Sequence, residues 1–416
     1  MRRGMLSNLF VGAVAKRLTL VETITARSNQ HEFQGIQPLR QLLGDDDRKG
    51  VDAEFIWLSD DQGSLTESGF LSWSNVRKGK PRSPEYHLYY SGNPVTERME
   101  TGDLLIVALK QDGTFLVVVV PANATTENQI LWLFGLEPPP EKGVSIHRFD
   151  TGKDIELGFA ARYILDELAI EPEEPEAAHL DGLIEPFGLV FPSTRVFSDL
   201  ARKSLPEVDA VDDPDRALVD WLDREEQLFR RLEHRVVAER ITNGFQDQGA
   251  VDVDGFLSFS LSVQNRRKAR AGQALENHLE AVFLAHGLKF ARGALTENRN
   301  KPDFLFPGVA EYADPTYPSA RLMMLGAKST LKDRWRQVLS EAVRIGEKHL
   351  LTLEPGTSEN QTDEMRAKSL QLVIPRALHD SFRPGQRDWL MDLAAFLRLA
   401  HERQADRSKP RQPSEV

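Results

Sequence analysis

The sequence predicts two domains: a β-rich one, followed by one that mixes helices with short buried strands. Three observations point there. The chain has 416 residues, and a single domain usually takes about 100–200. Its first 170 residues carry a series of short runs rich in β-branched and aromatic residues, the composition of strands. Beyond an acidic, proline-spaced stretch at 171–182, EPEEPEAAHLDG, apolar residues recur at helical spacing.

Composition excludes several classes. There is no cysteine, so disulfides, thiolate catalysis and cysteine-ligated zinc are ruled out, and a reducing cytoplasm is the expected compartment. No run of about 20 apolar residues is present, so no membrane span is expected. The N-terminus, MRRGMLSNLFVGAVAKRL, imitates a secretory signal up to Ala13-Val14-Ala15. Gly12 interrupts its apolar run and Lys16 and Arg17 follow at once, so folded structure is expected instead. The net charge of −11 runs against a uniformly basic nucleic-acid binder, but the charges are unevenly spread.

In the first domain, 1–170, strands are expected at Val51–Leu58, Gly69–Val76, Glu85–Ser91, Asp103–Lys110 and Thr114–Pro121. Gln111-Asp112-Gly113 reads as a hairpin turn, glycine supplying the positive φ. Leu131-Trp132-Leu133-Phe134 reads as one more strand, and the whole as a barrel or sandwich. Basic residues cluster at Lys16 and Arg17, then at Arg77, Lys78, Lys80 and Arg82 in a Gly/Pro-broken loop. On charge alone that loop is a solvated one; its sharper reading is a phosphate clamp.

The stretch 171–182 is expected to be a linker without a packed core. After it, Pro214–Ile241 shows helical periodicity through Leu218, Trp221, Leu222, Leu228, Phe229, Leu232 and Val236, with Asp212 or Asp213 as cap. Four cations lie within Arg266–Arg270, leading into a helix over Gln273–Ala285 on which Glu276 and Glu280 share a face. A last helix is expected over Asp388–Glu402. The second domain is thus 183–404, and the polar residues 405–416 form a disordered tail.

The chemistry concentrates in Lys301–Glu341, KPDFLFPGVAEYADPTYPSARLMMLGAKSTLKDRWRQVLSE. Asp303 opens the apolar run Phe304-Leu305-Phe306, and a carboxylate there needs a donor, a cap or a metal. Lys328 closes a second apolar run, Arg321–Lys328. A helix opened by Ser329 or Thr330 is expected to turn Trp335, Val338, Leu339, Ala342 and Ile345 inward and to carry Glu341. Carboxylates that hold Mg²⁺ and a cation beside a phosphate suit phosphodiester hydrolysis.

These motifs resemble the EcoRII-type restriction endonucleases, a branch of the PD-(D/E)XK nuclease superfamily. The resemblance rests on PDFLFPG, AEY and LGAKSTLKDRWRQVLSE. It extends to FGLVFPSTRVFSDLAR (187–202), RRKARAGQALENHLEAVF (266–283) and an N-terminal segment at 26–33. It implies that Asp303 is a metal-binding aspartate and Lys328 the catalytic lysine. Most such enzymes place an acid two residues before the lysine; here that position is Gly326, and the resemblance implies that Glu341 supplies the acid. Tyr312 matches a functional tyrosine. Glu276 matches a helix glutamate supporting the metal site, with Glu280 the alternative phase.

Lys332, Asp333 and Arg334 match a triplet that reads paired C and G bases. The chemistry suits this: Arg or Lys donates to guanine, and an acid accepts from the cytosine amino group. Lys332 stands where some relatives carry arginine, and a lysine lacks the rigid planar fork that favours bidentate recognition. The resemblance also implies an N-terminal pseudobarrel binding an effector copy of the DNA and inhibiting cutting in its absence. It implies as well a C-terminal α/β restriction-endonuclease-like domain that forms a homodimer. His31, Arg77, Lys78 and Arg82 are the expected effector contacts. Double-stranded DNA with CC and GG arms, CCWGG, is the expected target, and Mg²⁺ the cofactor.

Two other functions fit the same residues. One is a DNA-binding regulator with a degenerate nuclease domain, which would shift DNA in gels without cutting it. The other is a repair or modified-DNA nuclease, which would cut methylated substrate.

Overall fold

The structure is a computed structural model describing residues 10–23, 31–34, 37–59, 63–79, 81–122, 124–139, 144–148, 177–247, 250–329, 331 and 334–405. The chain divides into two compact units: Met1–Glu171 with Pro355–Gln361 and Asp380–Pro384, and the rest. Of the expected linker, 171–176 lies outside the described residues, as do Lys80, Thr330, Lys332, Asp333, most of the 26–33 segment and the tail beyond Ala405.

The first unit begins with β1 (Phe10–Arg17), α1 (Leu20–Thr23), β2 (Glu32–Gln34), α2 (Gln37–Leu43), β3 (Arg48–Ser59) and β4 (Gly63–Asn75). Then come β5 (Tyr86–Tyr90), β6 (Leu104–Lys110), β7 (Phe115–Val120), α3 (Thr125–Phe134) and β8 (Val144–Arg148). The strands form one eight-stranded sheet in the order β2-β5-β4-β3-β7-β6-β1-β8. Only β3 and β7 run parallel; the other pairs are antiparallel. Among the described residues its edges, β2 and β8, do not pair with each other, and the sheet wraps one apolar core. Phe33 stacks on Tyr90 and Trp73 on Tyr86 inside it, at 4.4 and 5.0 Å between ring centroids. The β6–β7 turn forms as expected, with Gly113 at φ 86° and the Lys110 N–H on Thr114 O at 2.8 Å.

Two expectations for this unit fail. Leu131–Phe134 is not a strand but the last turn of α3, which ends at Gly135 (φ 68°), whose N–H reaches the Leu131 and Trp132 carbonyls. A fully buried helix shows no apolar periodicity over four residues, so that run alone cannot distinguish it from a strand. Lys16 and Arg17 are not a basic surface cluster either. Lys16 is 5% exposed and pairs with the buried Glu22; Arg17 clasps Glu127 through two 2.6 Å bonds.

The second unit starts with α4 (Ala177–Ile184), α5 (Thr194–Lys203), α6 (Pro214–Thr242), β9 (Gln246–Asp247), β10 (Ala250–Val251) and α7 (Val253–Ala285). It continues with β11 (Ala291–Arg292), β12 (Phe304–Phe306), α8 (Val309–Ala313), β13 (Met323–Lys328), α9 (Trp335–Val338), β14 (Lys348–Thr352), β15 (Leu370–Val373) and α10 (Leu393–Gln404). The sequence 177–182 is therefore not core-free. Leu180 and Ile184 pack, fully buried, with Phe197, Leu228, Phe229 and Leu232, because Ala177, Leu180 and Ile184 fall on one helical face. Asp213 caps α6 through a 3.0 Å bond from the Arg216 N–H, and α10 starts later than expected, capped by Asp392.

Five strands, β11-β12-β13-β14-β15, form the second sheet. β12 runs antiparallel to β13, while β13, β14 and β15 are parallel. Phe283 of α7 meets Phe304 and Phe306 edge-on at 5.0 and 5.2 Å. That contact pins the short β12, and with it the aspartate immediately before its first residue.

Candidate active site

Asp303 precedes Phe304, whose partner across the sheet is Leu325. Its carboxylate therefore lies beside the C-terminal end of β13, where it accepts from the Ala327 N–H (2.7 Å) and from Lys328 Nζ (2.6 Å), both on Oδ2. Lys328 and Asp303 are 18% and 15% exposed, so the ion pair sits at the rim of the fold and not beneath it.

Gly326 shares the β13 face with Lys328, since side chains alternate along a strand. A Cβ at 326 would lie 2.9 Å from Val338 Cγ2 and 3.3 Å from Leu350 Cδ1. Val338, on α9, occupies the space an acid at this position would need. The same short helix leads into the turn that carries Glu341.

The expected long helix after Lys328 is not there. α9 is a single turn, and Glu341 stands three residues beyond it, in a turn where the Glu341 N–H bonds to Val338 O (3.2 Å) and Ala342 takes φ 47°. Trp335, Val338, Ala342 and Ile345 are buried as expected, but Leu339 only in part. Glu341 is 9% exposed, and its Oε2 is buried without a hydrogen-bond partner. Burial pushes this carboxyl up to about 7; the Lys328 charge opposes that and the Asp303 charge adds to it.

Glu276 completes the group from α7. Burial holds its carboxyl above the usual range, the Asp303 charge adds to this, and Arg292, at 3.0 Å from its Oε2, and Lys328 act against it. Glu280 instead bonds Arg292 at 2.7 Å and Arg195 at 2.9 Å. The phase therefore favours Glu276 as the helix acid facing the lysine and the aspartate.

Tyr312 lies one step away. Its hydroxyl donates to both oxygens of Glu297 (2.6 and 2.8 Å), and burial pushes its phenol up to about 12. Its backbone carbonyl accepts from Arg344. Arg334 is exposed immediately before α9; Lys332 and Asp333 lie outside the described residues.

In the first unit the four expected DNA contacts do not form one group. Arg77 pairs with Glu85, and Lys78 Nζ with Asp47 at 2.7 Å. Arg82 is exposed in the same connection. His31 packs edge-on against Tyr90 at 5.4 Å, at the other end of β5, roughly 13 Å away at the rise of a strand. Two cations of the basic run on α7 are tied to acids of α6: Arg267 pairs with Glu233, while Arg270 pairs with Glu225 and lies over Phe229 at 4.1 Å. The buried His278, bonded to Glu225 at 2.9 Å and to Arg202 at 3.2 Å, is a partner that periodicity alone could not reveal.

An aspartate opening one strand, a lysine closing the next and the carboxylates of Glu276 and Glu341 within their field thus gather at one place on a mixed α/β sheet. Residues 229–397 match the family model described as EcoRII C terminal. The chain is 45% identical over 186 residues to the type II restriction enzyme EcoRII of Escherichia coli, covering 44% of this chain and 45% of that one. It is 28% identical over 153 residues to the type II restriction enzyme SsoII of Shigella sonnei, covering 34% and 49%. These alignments span about half the length of each curated relative. Among solved structures, metal-depleted Ecl18kI with uncleaved, modified DNA aligns at TM-score 0.43 and 18% identity, over 55% of this chain and 84% of that one. A PspGI–substrate DNA complex aligns at 0.42 and 13%, over 51% and 94%.

No group of three or more His, Cys, Asp or Glu among the described residues is arranged to hold a metal. The donors nonetheless suit a divalent cation. Asp303 and Glu341 offer hard carboxylate oxygens within one another's field, and Glu341 Oε2 is buried without a partner. Two protein ligands are enough for Mg²⁺, which keeps several waters and takes phosphate oxygens.

Proposed function

We propose that the protein is a type II restriction endonuclease that hydrolyses phosphodiester bonds of double-stranded DNA with Mg²⁺. The observation that carries this reading is the convergence of Lys328 and the Ala327 N–H on Asp303 Oδ2, with Glu341 brought to the same charges by the turn after α9. Asp303 and Glu341 would hold the cation, which when bound supplies a polarised phosphate oxygen and a water of lowered pKa. Lys328, already oriented by Asp303, stabilises negative charge building on the phosphate. Glu276 adds negative potential from α7 and Arg292 restrains it. Tyr312 supports the Glu341 turn through Glu297 and Arg344.

The target is a short palindrome with CC and GG arms, CCWGG, read by Lys332, Asp333 and Arg334. A homodimer cuts both strands. The N-terminal unit binds a second copy as effector through His31, Arg77, Lys78 and Arg82, and inhibits cutting without it. The ion pairs of Arg77 and Lys78 are exposed enough to exchange for phosphate. Val338 over Gly326 gives a steric reason for the absent strand acid, so that glycine does not by itself favour the degenerate-nuclease reading.

Purified protein incubated with Mg²⁺ and a multi-site plasmid should give discrete fragments with ends at CCWGG. Intact DNA across many substrates, with and without added effector duplex, rejects the reading. Cutting of cytosine-methylated DNA would select a modified-DNA nuclease.

A further inference from the structure

The turn between α9 and β14 carries Glu341 and is held from three sides. Asn300 Nδ2 donates to Ser340 O at 2.8 Å. Arg344 reaches Asp314 O at 3.0 Å and Tyr317 O at 2.9 Å. From below, Lys348 Nζ donates to Leu339 O at 3.1 Å. Lys348 is the first residue of β14, the strand between β13 and β15, and its own N–H bonds to Ser369 O at 3.0 Å. It is 9% exposed, and its ammonium lies within the field of Glu341 and Glu297. A lysine so deeply covered is costly unless its charge and donors are used. Here they are spent on a carbonyl two residues before the acid and on the acid's own potential.

We propose that Lys348 is a positioning residue for the Glu341 carboxylate, fixing the end of α9 to the strand that neighbours the one bearing Lys328. The role follows from connectivity. Glu341 reaches the site from a one-turn helix and a turn with a left-handed Ala342, neither of which is rigid by itself. Lys348 gives that turn a fixed reference in the parallel sheet, where β14 and β13 are in register from Leu325–His349 to Lys328–Thr352. This inference rests on the nuclease reading above, and the test separates the two.

Full-length K348M and K348R are compared with wild type. The readouts are Mn²⁺ binding by calorimetry without DNA, single-turnover cleavage against Mg²⁺ concentration, gel shift in Ca²⁺ and thermal melting. In K348M, Mn²⁺ affinity and cleavage rate should each fall about 10-fold or more, the range for residues that orient metal ligands. DNA binding in Ca²⁺ should be unchanged. K348R, which restores charge and donor, should recover most of both losses. Wild-type Mn²⁺ affinity and Mg²⁺ dependence in K348M overturn the role, and so does a K348R as poor as K348M. If K348M does not fold, K348Q is read in its place by the same criteria. Wild-type protein that binds no Mn²⁺ and cuts no duplex overturns the nuclease reading and this role together.

Discussion

Gly326 has lost the space for a side chain to Val338, and that steric fact has measurable consequences at the scale of single residues. Restoring the usual acid with G326D should not rescue E341A, because the new Cβ would lie 2.9 Å from Val338 Cγ2; overpacking should instead cost about 1–3 kcal/mol. A G326D/E341A double variant that cuts DNA would contradict this. Lys328→Ala should slow cleavage on the order of 10²-fold or more while preserving DNA binding in Ca²⁺, as loss of a charge-stabilising donor does; unchanged cutting removes the assignment. Glu341 gives a pH prediction. Its folded-state pKa, about 7, lies above its ordinary value of 4.5, so the stability it contributes is full below about pH 4.5 and lost as pH rises through about 7. The loss is on the order of 3 kcal/mol. In EDTA at pH 8, E341Q should therefore resist urea better than wild type, and the difference should shrink as the pH falls toward 4.5. Equal stability at pH 8 would count against the burial of this charge. Asp303 and Lys328 were legible in the sequence as an acid opening one apolar run and a lysine closing the next. The environment of Glu341 was not, because a residue three places past a one-turn helix has no periodicity to announce it.

At the scale of elements, the seam between α6 and α7 holds Glu225 at 1% exposure between Arg270 and the fully buried His278. Glu225→Gln keeps the shape and removes the charge, and should destabilise the protein by about 3–5 kcal/mol, since Arg270 is then left buried and unpaired. Arg267→Ala, at a more exposed pair, should cost less; denaturant titration of both variants checks the ordering. Elements were legible where local chemistry was strong: Gly113 at its hairpin, Asp213 at its cap, and the apolar face of Pro214–Ile241. They were not where it was weak. α7 runs from Val253, twenty residues before the expected start, because Gly255, Ser258, Ser260 and Ser262 are poor helix formers. Within the basic run, Arg267 and Arg270 gave no sign that their partners, Glu233 and Glu225, wait on the preceding helix.

For the whole molecule, a net charge of −11 makes DNA binding depend on where the cations stand. Several are already committed to buried acids, as Lys16, Arg17, Arg267 and Arg270 are. Discharging the exposed Arg82 with R82A should weaken stimulation by an effector duplex, measured as the ratio of cleavage with and without it on a single-site plasmid. The basal rate should be unchanged; an unaltered ratio would take Arg82 out of the effector surface. The strand-rich first 170 residues and the helical periodicity beyond pointed to two domains, but nothing local announced that Pro355–Gln361 and Asp380–Pro384 group with the first unit. The burial of Leu180 in what reads as a spacer was not readable either, since its partners Phe197, Leu228 and Phe229 lie up to 49 positions away.

The two donors that meet on a single oxygen of Asp303 have one more implication. The side chain is already aimed, by a backbone amide and a lysine that belong to the sheet itself, so an arriving ion has little ordering left to impose at that corner. Soaking the protein with a divalent salt should leave this carboxylate where it stands, and any rearrangement that accompanies loading should appear on the side of the turn.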